Sequence, residues 1–262
     1  MKFTLAAVLL GIVVFSGCDS STTPAPNDQG QVRILLVDQP AEYDAVNIVV
    51  TEVSAHSADS DSTSGWIVVN STTRTFDLLT LTNGASQILG DAPLNPGHYS
   101  QIRLKLAESC TVIVDGQTHP LEVPSGAQSG LKLNHPFDIE PSTLYEMTLD
   151  FDAMHSIHVT GNDRYKLSPV IRVVANQVSG AISGTINPAN SRAIVFALVG
   201  ADTVSTFADP TTGAFKLVAL PANVYAVHIV PGVPIYLDTT LTGVSVVARH
   251  ETDLGTITLS PR

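Results

Sequence analysis

Residues 94–106 read LNPGHYSQIRLKL. Asn95-Pro96-Gly97 is turn chemistry: proline presets its own φ, and glycine reaches positive φ without steric cost. From Ile102 onward the apolar residues alternate, with Ile102, Leu104 and Leu106 separated by Arg103 and Lys105. A turn that feeds a run of period two is a half-buried strand. The signature recurs in QVRILLVD, AVNIVVTEVS, CTVIVD, LYEMTLDF, RAIVFALV, FKLVAL, YAVHIV and LGTITL. Asn83-Gly84, Asp115-Gly116, Thr212-Gly213 and Pro231-Gly232 punctuate them. Long helical periods are missing, and Thr80 to Leu89 offers at most one helical turn or a loop. The expected fold is all-β, with two tandem antiparallel β-sandwiches of immunoglobulin-like or transthyretin-like type.

The boundary between them is expected near Asn176, where NQVSGAISGTI opens a new strand-and-glycine pattern after Val170–Val174. That divides the chain into 31–175 and 176–262, both of ordinary domain size. A short echo links the two parts. Leu94-Asn-Pro-Gly97-His-Tyr99 parallels Leu220-Pro-Ala-Asn223-Val-Tyr225. Each is read as a residue tolerant of positive φ, a tyrosine two places on, and a strand.

The chain opens MKFTLAAVLLGIVVFSGCDSS. Lys2 is followed by an apolar run from Phe3 to Phe15, short for a bilayer core of about 30 Å. Small residues then close it. Residues 1–17 are therefore read as a signal peptide. Ser16-Gly17-Cys18 resembles a bacterial lipobox, with Phe15 where leucine is usual, so Cys18 is the expected lipidation site and membrane anchor. Residues 18–30 carry Ser, Thr and Pro without apolar periodicity and read as a flexible tether. The expected location is the cell envelope, in the outer membrane rather than the inner one. Asp19 is a retention signal for the inner membrane only in some lineages.

With 13 basic and 24 acidic residues the chain stands at −11, and removing residues 1–17 takes away Lys2 and no acid. That charge argues against nucleic acid and against adhesion to anionic headgroups. Cys110 has no second cysteine if Cys18 is lipidated. It lies in an alternating run and reads as a buried thiol.

Several motifs of residues 30–174 together resemble a bacterial lipoprotein family, domain of unknown function 4382. They are Leu36-Val-Asp-Gln-Pro40, LNPGHYSQIRL, VPSGAQSGLKL (123–133), LDFDAMHSIHVTG (149–161) and YKLSPVIRVV (165–174). The resemblance implies a β-sandwich and no established activity. The remainder is similar to a carboxypeptidase regulatory-like, transthyretin-like domain, through Ser183-Gly-Thr-Ile186, Asp209-Pro-Thr-Thr-Gly213-Ala-Phe215 and Leu220-Pro221 with Tyr225. That implies a rigid, non-catalytic module with carbohydrate-binding relatives.

LDFDAMHSIHVTG holds the richest chemistry. In a strand, Leu149 and Phe151 face one side while Asp150 and Asp152 face the other, about 6.5–7 Å apart along the backbone. Asp150 and Asp152 are the candidate metal ligands, and calcium is the candidate ion, given further oxygens from Asp38, Asp44 or Asp163. Zinc would need His155 and His158 on one helical turn. The structural alternative is that both carboxylates bond the following turn or pair with Arg164 or Arg172. Ser129-Gly-Leu-Lys132 spells a nucleophile motif, but the run after it alternates like a strand, so the two side chains would diverge. His56, with Asp59 and Asp61, borders a solvated loop. Trp66 reads as a strand residue rather than a sugar platform. No catalytic residue and no required cofactor is expected. The chain is read as a non-catalytic binding or scaffolding module for a glycan or an envelope protein. The competing readings are a metal-dependent or hydrolytic enzyme using Asp150 and Asp152, and a structural spacer.

Overall fold

The computed structural model describes residues 29–61, 64–124, 129–161 and 164–262. The signal peptide, Cys18, nearly all of the tether, and Asp163 lie outside them.

The first part contains β1 (Gly30–Gln39), β2 (Ala45–Ser57), β3 (Trp66–Asn70), β4 (Arg74–Asp77), β5 (Gln87–Leu94), β6 (Gly97–Leu106) and β7 (Thr111–Val114). It continues through β8 (Gln117–Glu122), β9 (Leu131–Ile139), β10 (Leu144–Asp152), the short helix α1 (Ala153–Ser156), β11 (Ile157–Thr160), β12 (Arg164–Leu167) and β13 (Ile171–Ala175). A four-stranded sheet in the order β13-β10-β1-β5 packs on a larger one, β11-β12-β8-β7-β2-β6-β9, with β3 and β4 also paired to β2. The second part contains β14 (Ser179–Asn187), β15 (Ile194–Val199), β16 (Asp202–Phe207), β17 (Ala214–Pro221), β18 (Asn223–Val230), β19 (Thr239–Val246) and β20 (Glu251–Thr258). Its two sheets run β17-β14-β20 and β16-β15-β18-β19.

The period-two pattern places the cores. Val32, Ile34 and Leu36 of β1, Ile102, Leu104 and Leu106 of β6, and Leu149 and Phe151 of β10 meet in one buried cluster. Ile182, Val195, Phe215, Leu217, Val227 and Ile229 form another. A turn of 3-10 helix, Asn176–Val178, links the two parts.

The all-β expectation holds, with one correction: three of the four sheets are mixed, and only β16-β15-β18-β19 is antiparallel throughout. β1 runs parallel to β10, β8 to β12, and β14 to β20. Between β1 and β10 the chain passes through the opposite sheet and returns in the same direction. Alternation reports which face a residue takes, not which way its strand runs.

The echoed turns share a bond rather than a dihedral. The Tyr99 hydroxyl donates to the Asn95 carbonyl at 2.9 Å, and the Tyr225 hydroxyl to the Pro221 carbonyl at 2.7 Å. Each tyrosine is buried and pins the corner four residues behind it. Gly97 takes the positive φ expected of it, at 147°, whereas Asn223 does not; in the second part a positive φ falls instead at Ala219, at 55°.

The outer face of the β13-β10-β1-β5 sheet is covered. Val37, Thr148, Asp150 and Val174 lie on it in register and are buried, yet none belongs to the first core. The second sandwich lies over this face. Ser205 of β16 donates to Gln39 at 3.2 Å, and Arg172 donates to the Ala219 carbonyl at 2.9 Å. Asn83, at positive φ in its turn, makes a two-way contact with the edge of β17. Its amide donates to the Ala214 carbonyl at 3.3 Å and its oxygen accepts from the Lys216 N–H at 2.6 Å.

The Asn83→Ala variant tests this contact. Losing two hydrogen bonds, with one backbone N–H left unsatisfied, is expected to lower unfolding stability by about 1–3 kcal/mol. It should also expose residues 176–178 to protease. Unchanged denaturation and unchanged cleavage would show that the contact contributes nothing to docking.

Candidate functional site

Asp152 ends β10 and starts α1. Its Oδ1 accepts from the His155 N–H at 3.0 Å, and its Oδ2 lies 2.7 Å from His155 Nδ1. This is an N-cap, in which a side-chain oxygen satisfies an N–H that a helix start leaves free. Alternation puts Leu149 and Phe151 in the core, as the strand reading requires, and turns Asp150 the other way. There Asp150 faces Arg172 across the β10–β13 ladder and accepts from its Nη2 at 2.5 Å. The same guanidinium reaches the second sandwich at Ala219.

Of the two arginines proposed as partners, Arg172 takes Asp150, while Arg164 bonds Glu122 at 3.2 Å. Asp38 sits one residue out of phase, opposite Phe151, on the core side of β1. Its Oδ1 accepts from the Ala153 N–H at 3.1 Å, and its Oδ2 has no partner among the described residues. Burial drives the Asp38 carboxyl well above the usual carboxylate range. Asp44 accepts from Gly116 N–H at the β7–β8 turn. Of the oxygens proposed to complete a calcium shell, those of Asp38 and Asp44 therefore lie on a different face and at a different end from Asp150; Asp163 lies outside the described residues. Among the described residues, no group of three or more His, Cys, Asp or Glu is placed to share an ion. The zinc geometry fails for a related reason. α1 stops at Ser156, so His158 falls on β11 and does not share a helical turn with His155.

The junction between the sandwiches holds a cleft of about 520 Å³, lined by Asp150, Asp152, His155 and Arg172 on one side and Asp202 and Thr203 on the other. Asp150 is 3% exposed there. Burial raises its carboxyl to about 6, opposed by the Arg172 charge and hydrogen bond, with Asp152 and Asp202 adding to the rise.

The other candidates are engaged elsewhere. Cys110 is buried; its thiol donates to the Ala107 carbonyl at 3.2 Å and accepts from the Val49 N–H at 3.3 Å. Burial pushes the thiol up, which suits a packing role rather than a nucleophile. Lys132 is exposed on β9, with its ammonium 5.7 Å from the Trp66 ring centre. Trp66 also carries the Arg103 guanidinium at 4.3 Å and the edge of His56 at 4.8 Å. Arg103 in turn bonds Glu52, which Lys105 also bonds. Sequence reading missed Asn83 as a docking residue and Arg103 as the lid on Trp66. Asn83-Gly84 signals a turn but not what the turn touches, and Arg103 meets Trp66 across two strand pairings.

By architecture this is a protein of two all-β sandwiches joined by a short turn. Residues 29–169 match the family described as Domain of unknown function (DUF4382), and the chain belongs to that family. No curated protein matches it. Among solved structures, similarity is found to a type II cohesin–X–dockerin complex of Acetivibrio cellulolyticus. There the identity is 25%, with 31% of this chain and 58% of that chain covered, at a TM-score of 0.26. The minor pilin of Streptococcus agalactiae is 8% identical over 88% of this chain and 96% of its own, at 0.25. The shaft pilin of Lactobacillus rhamnosus GG is 8% identical over 90% and 97%, in its E269A mutant, also at 0.25. At these TM-scores the likenesses imply nothing about this chain.

The Asp150 carboxyl yields a signed pH prediction. Its folded value, about 6, lies above the ordinary 3.8. The folded state therefore holds this proton more tightly than the unfolded chain does. The contribution is fully present below the unfolded value and is lost as pH rises through about 6. Stability of the wild type, relative to Asp150→Asn, should fall between pH 4 and pH 7, by on the order of 2–3 kcal/mol. Parallel urea titrations at several pH values measure it. A difference that is flat, or that grows with pH, contradicts the assignment.

Proposed function

We propose that this chain is a lipid-anchored cell-envelope protein, held in the outer membrane by lipid on Cys18, whose two sandwiches form a non-catalytic binding or scaffolding module. Its partner in this reading is an envelope protein or a glycan. One observation carries the non-catalytic part. Both carboxylates of the LDFD strand hold the protein together, Asp150 by pairing with the arginine that bridges the sandwiches and Asp152 by capping α1. The anchor is supported by the apolar run ending in Ser16-Gly17-Cys18. Among the described residues, no helix is long and apolar enough to cross a membrane. The reading of 176–262 as a carboxypeptidase regulatory-like module is supported by its separate core and by its own pinned tyrosine corner.

Two measurements test this. Cells expressing the full chain and fed a labelled fatty acid should label it, and Cys18→Ser should abolish the label. An unlabelled wild type would overturn the anchor. For the carboxylates, chelator-stripped protein is melted with and without Ca²⁺, beside an Asp150→Asn, Asp152→Asn double variant. A bound ion raises the midpoint by mass action. The expected result is no shift with Ca²⁺ and a variant that melts earlier, because Arg172 is left buried without its counter-charge. A calcium-dependent rise that the variant lacks would make the strand a metal site.

A further inference from the structure

A second junction surface lies away from the carboxylates. Where the tip of the first sandwich meets the end of the second, Pro40, Glu42 and Met154 face Arg192, Ile194 and Phe207 across a groove. Its wider part, about 510 Å³, is lined by Glu42, Arg192 and Phe207. Met154 is 54% exposed and Phe207 42%. Both stand on ordered backbone: Met154 on α1, which Asp152 caps, and Phe207 at the end of β16, paired opposite Ile194. Large apolar side chains left at the surface on ordered backbone gain from being covered, and the phenylalanine ring loses little entropy when it is.

The charges at this groove indicate what covers it. Glu42 and Arg192 line the same groove, and neither belongs to an ion pair among the described residues. A patch holding one charge of each sign beside an apolar centre is complementary to itself. Under a two-fold axis, residue i of one copy meets residue j of the other, and j meets i. The chain as a whole stands at −11, so two copies repel over most of their surface. A locally neutral, apolar patch is where that repulsion is least.

We propose that this groove is a two-fold interface with a second copy of the chain, in which Glu42 of each copy meets Arg192 of the other around Met154 and Phe207. Sedimentation velocity on the full chain in non-ionic detergent, over a hundred-fold range of concentration, should show a monomer–dimer equilibrium. Glu42→Arg alone and Arg192→Glu alone should each weaken it about ten-fold or more, and the combined swap should restore it, since the pairs are re-formed with their signs exchanged. Phe207→Glu should abolish it. All three substituted positions are exposed, so circular dichroism should match the wild type; if Phe207→Glu fails this control, the charge swaps still decide. A wild type that stays monomeric overturns the proposal. So does a dimer indifferent to the single swaps, which would associate through another surface. Failure of the combined swap to restore the dimer overturns it as well.

Discussion

The guanidinium of Arg172 stands between the two sandwiches, on Asp150 of its own sheet and on the Ala219 carbonyl of the other. An ion pair taken this far out of water gives up much of its Coulomb energy to desolvation, which is why the Asp150 carboxyl is raised in spite of its cation. Its value lies in geometry more than in stability. With Asp150 in place, Arg172 has one orientation that satisfies both partners, and that orientation sets where the second sandwich sits. Any register in which the sandwiches slid past each other would strand a buried charge. The apolar neighbours Val37 and Val174 supply attraction without direction, and the arginine supplies the direction.

The all-β fold was legible from alternation, because a strand with one face in the core must place apolar residues two apart. Ile102, Leu104 and Leu106 entered the core as that rule requires. The turns at Asn83-Gly84, Asp115-Gly116 and Gly213 were legible for a similar reason: each holds a residue at positive φ. Strand direction was not, since parallel and antiparallel neighbours share the same alternation. Asn223 shows a finer limit. It tolerates positive φ, but the backbone places that conformation at Ala219, where the residue type gives no sign of it.

The candidate site was legible as a set of residues and not as a set of partners. That Asp150 and Asp152 leave the core side follows from period two. That one meets an arginine twenty-two residues on, and the other the next turn, depends on register and on where β10 stops. Asp38 is the sharper case. It looks like one more carboxylate for a shared ion, yet a shift of one residue along β1 puts it on the opposite face from Gln39. Clusters of acids counted along a β chain overstate how many oxygens can meet.

The contact between Asn83 and β17 has a bearing on how the protein is made. β17 is the outer strand of a three-stranded sheet, and a bare edge is a template on which other chains can add. Its backbone at Ala214 and Lys216 is met instead by a side-chain amide offered from a turn in the first sandwich. The first sandwich precedes the second along the chain, so it is made first and, on the proposed reading, exported first, and domains fold as units. An Asn83 turn that is in place before β17 can cover that stretch of edge as soon as it forms, and deny it to strands of other chains.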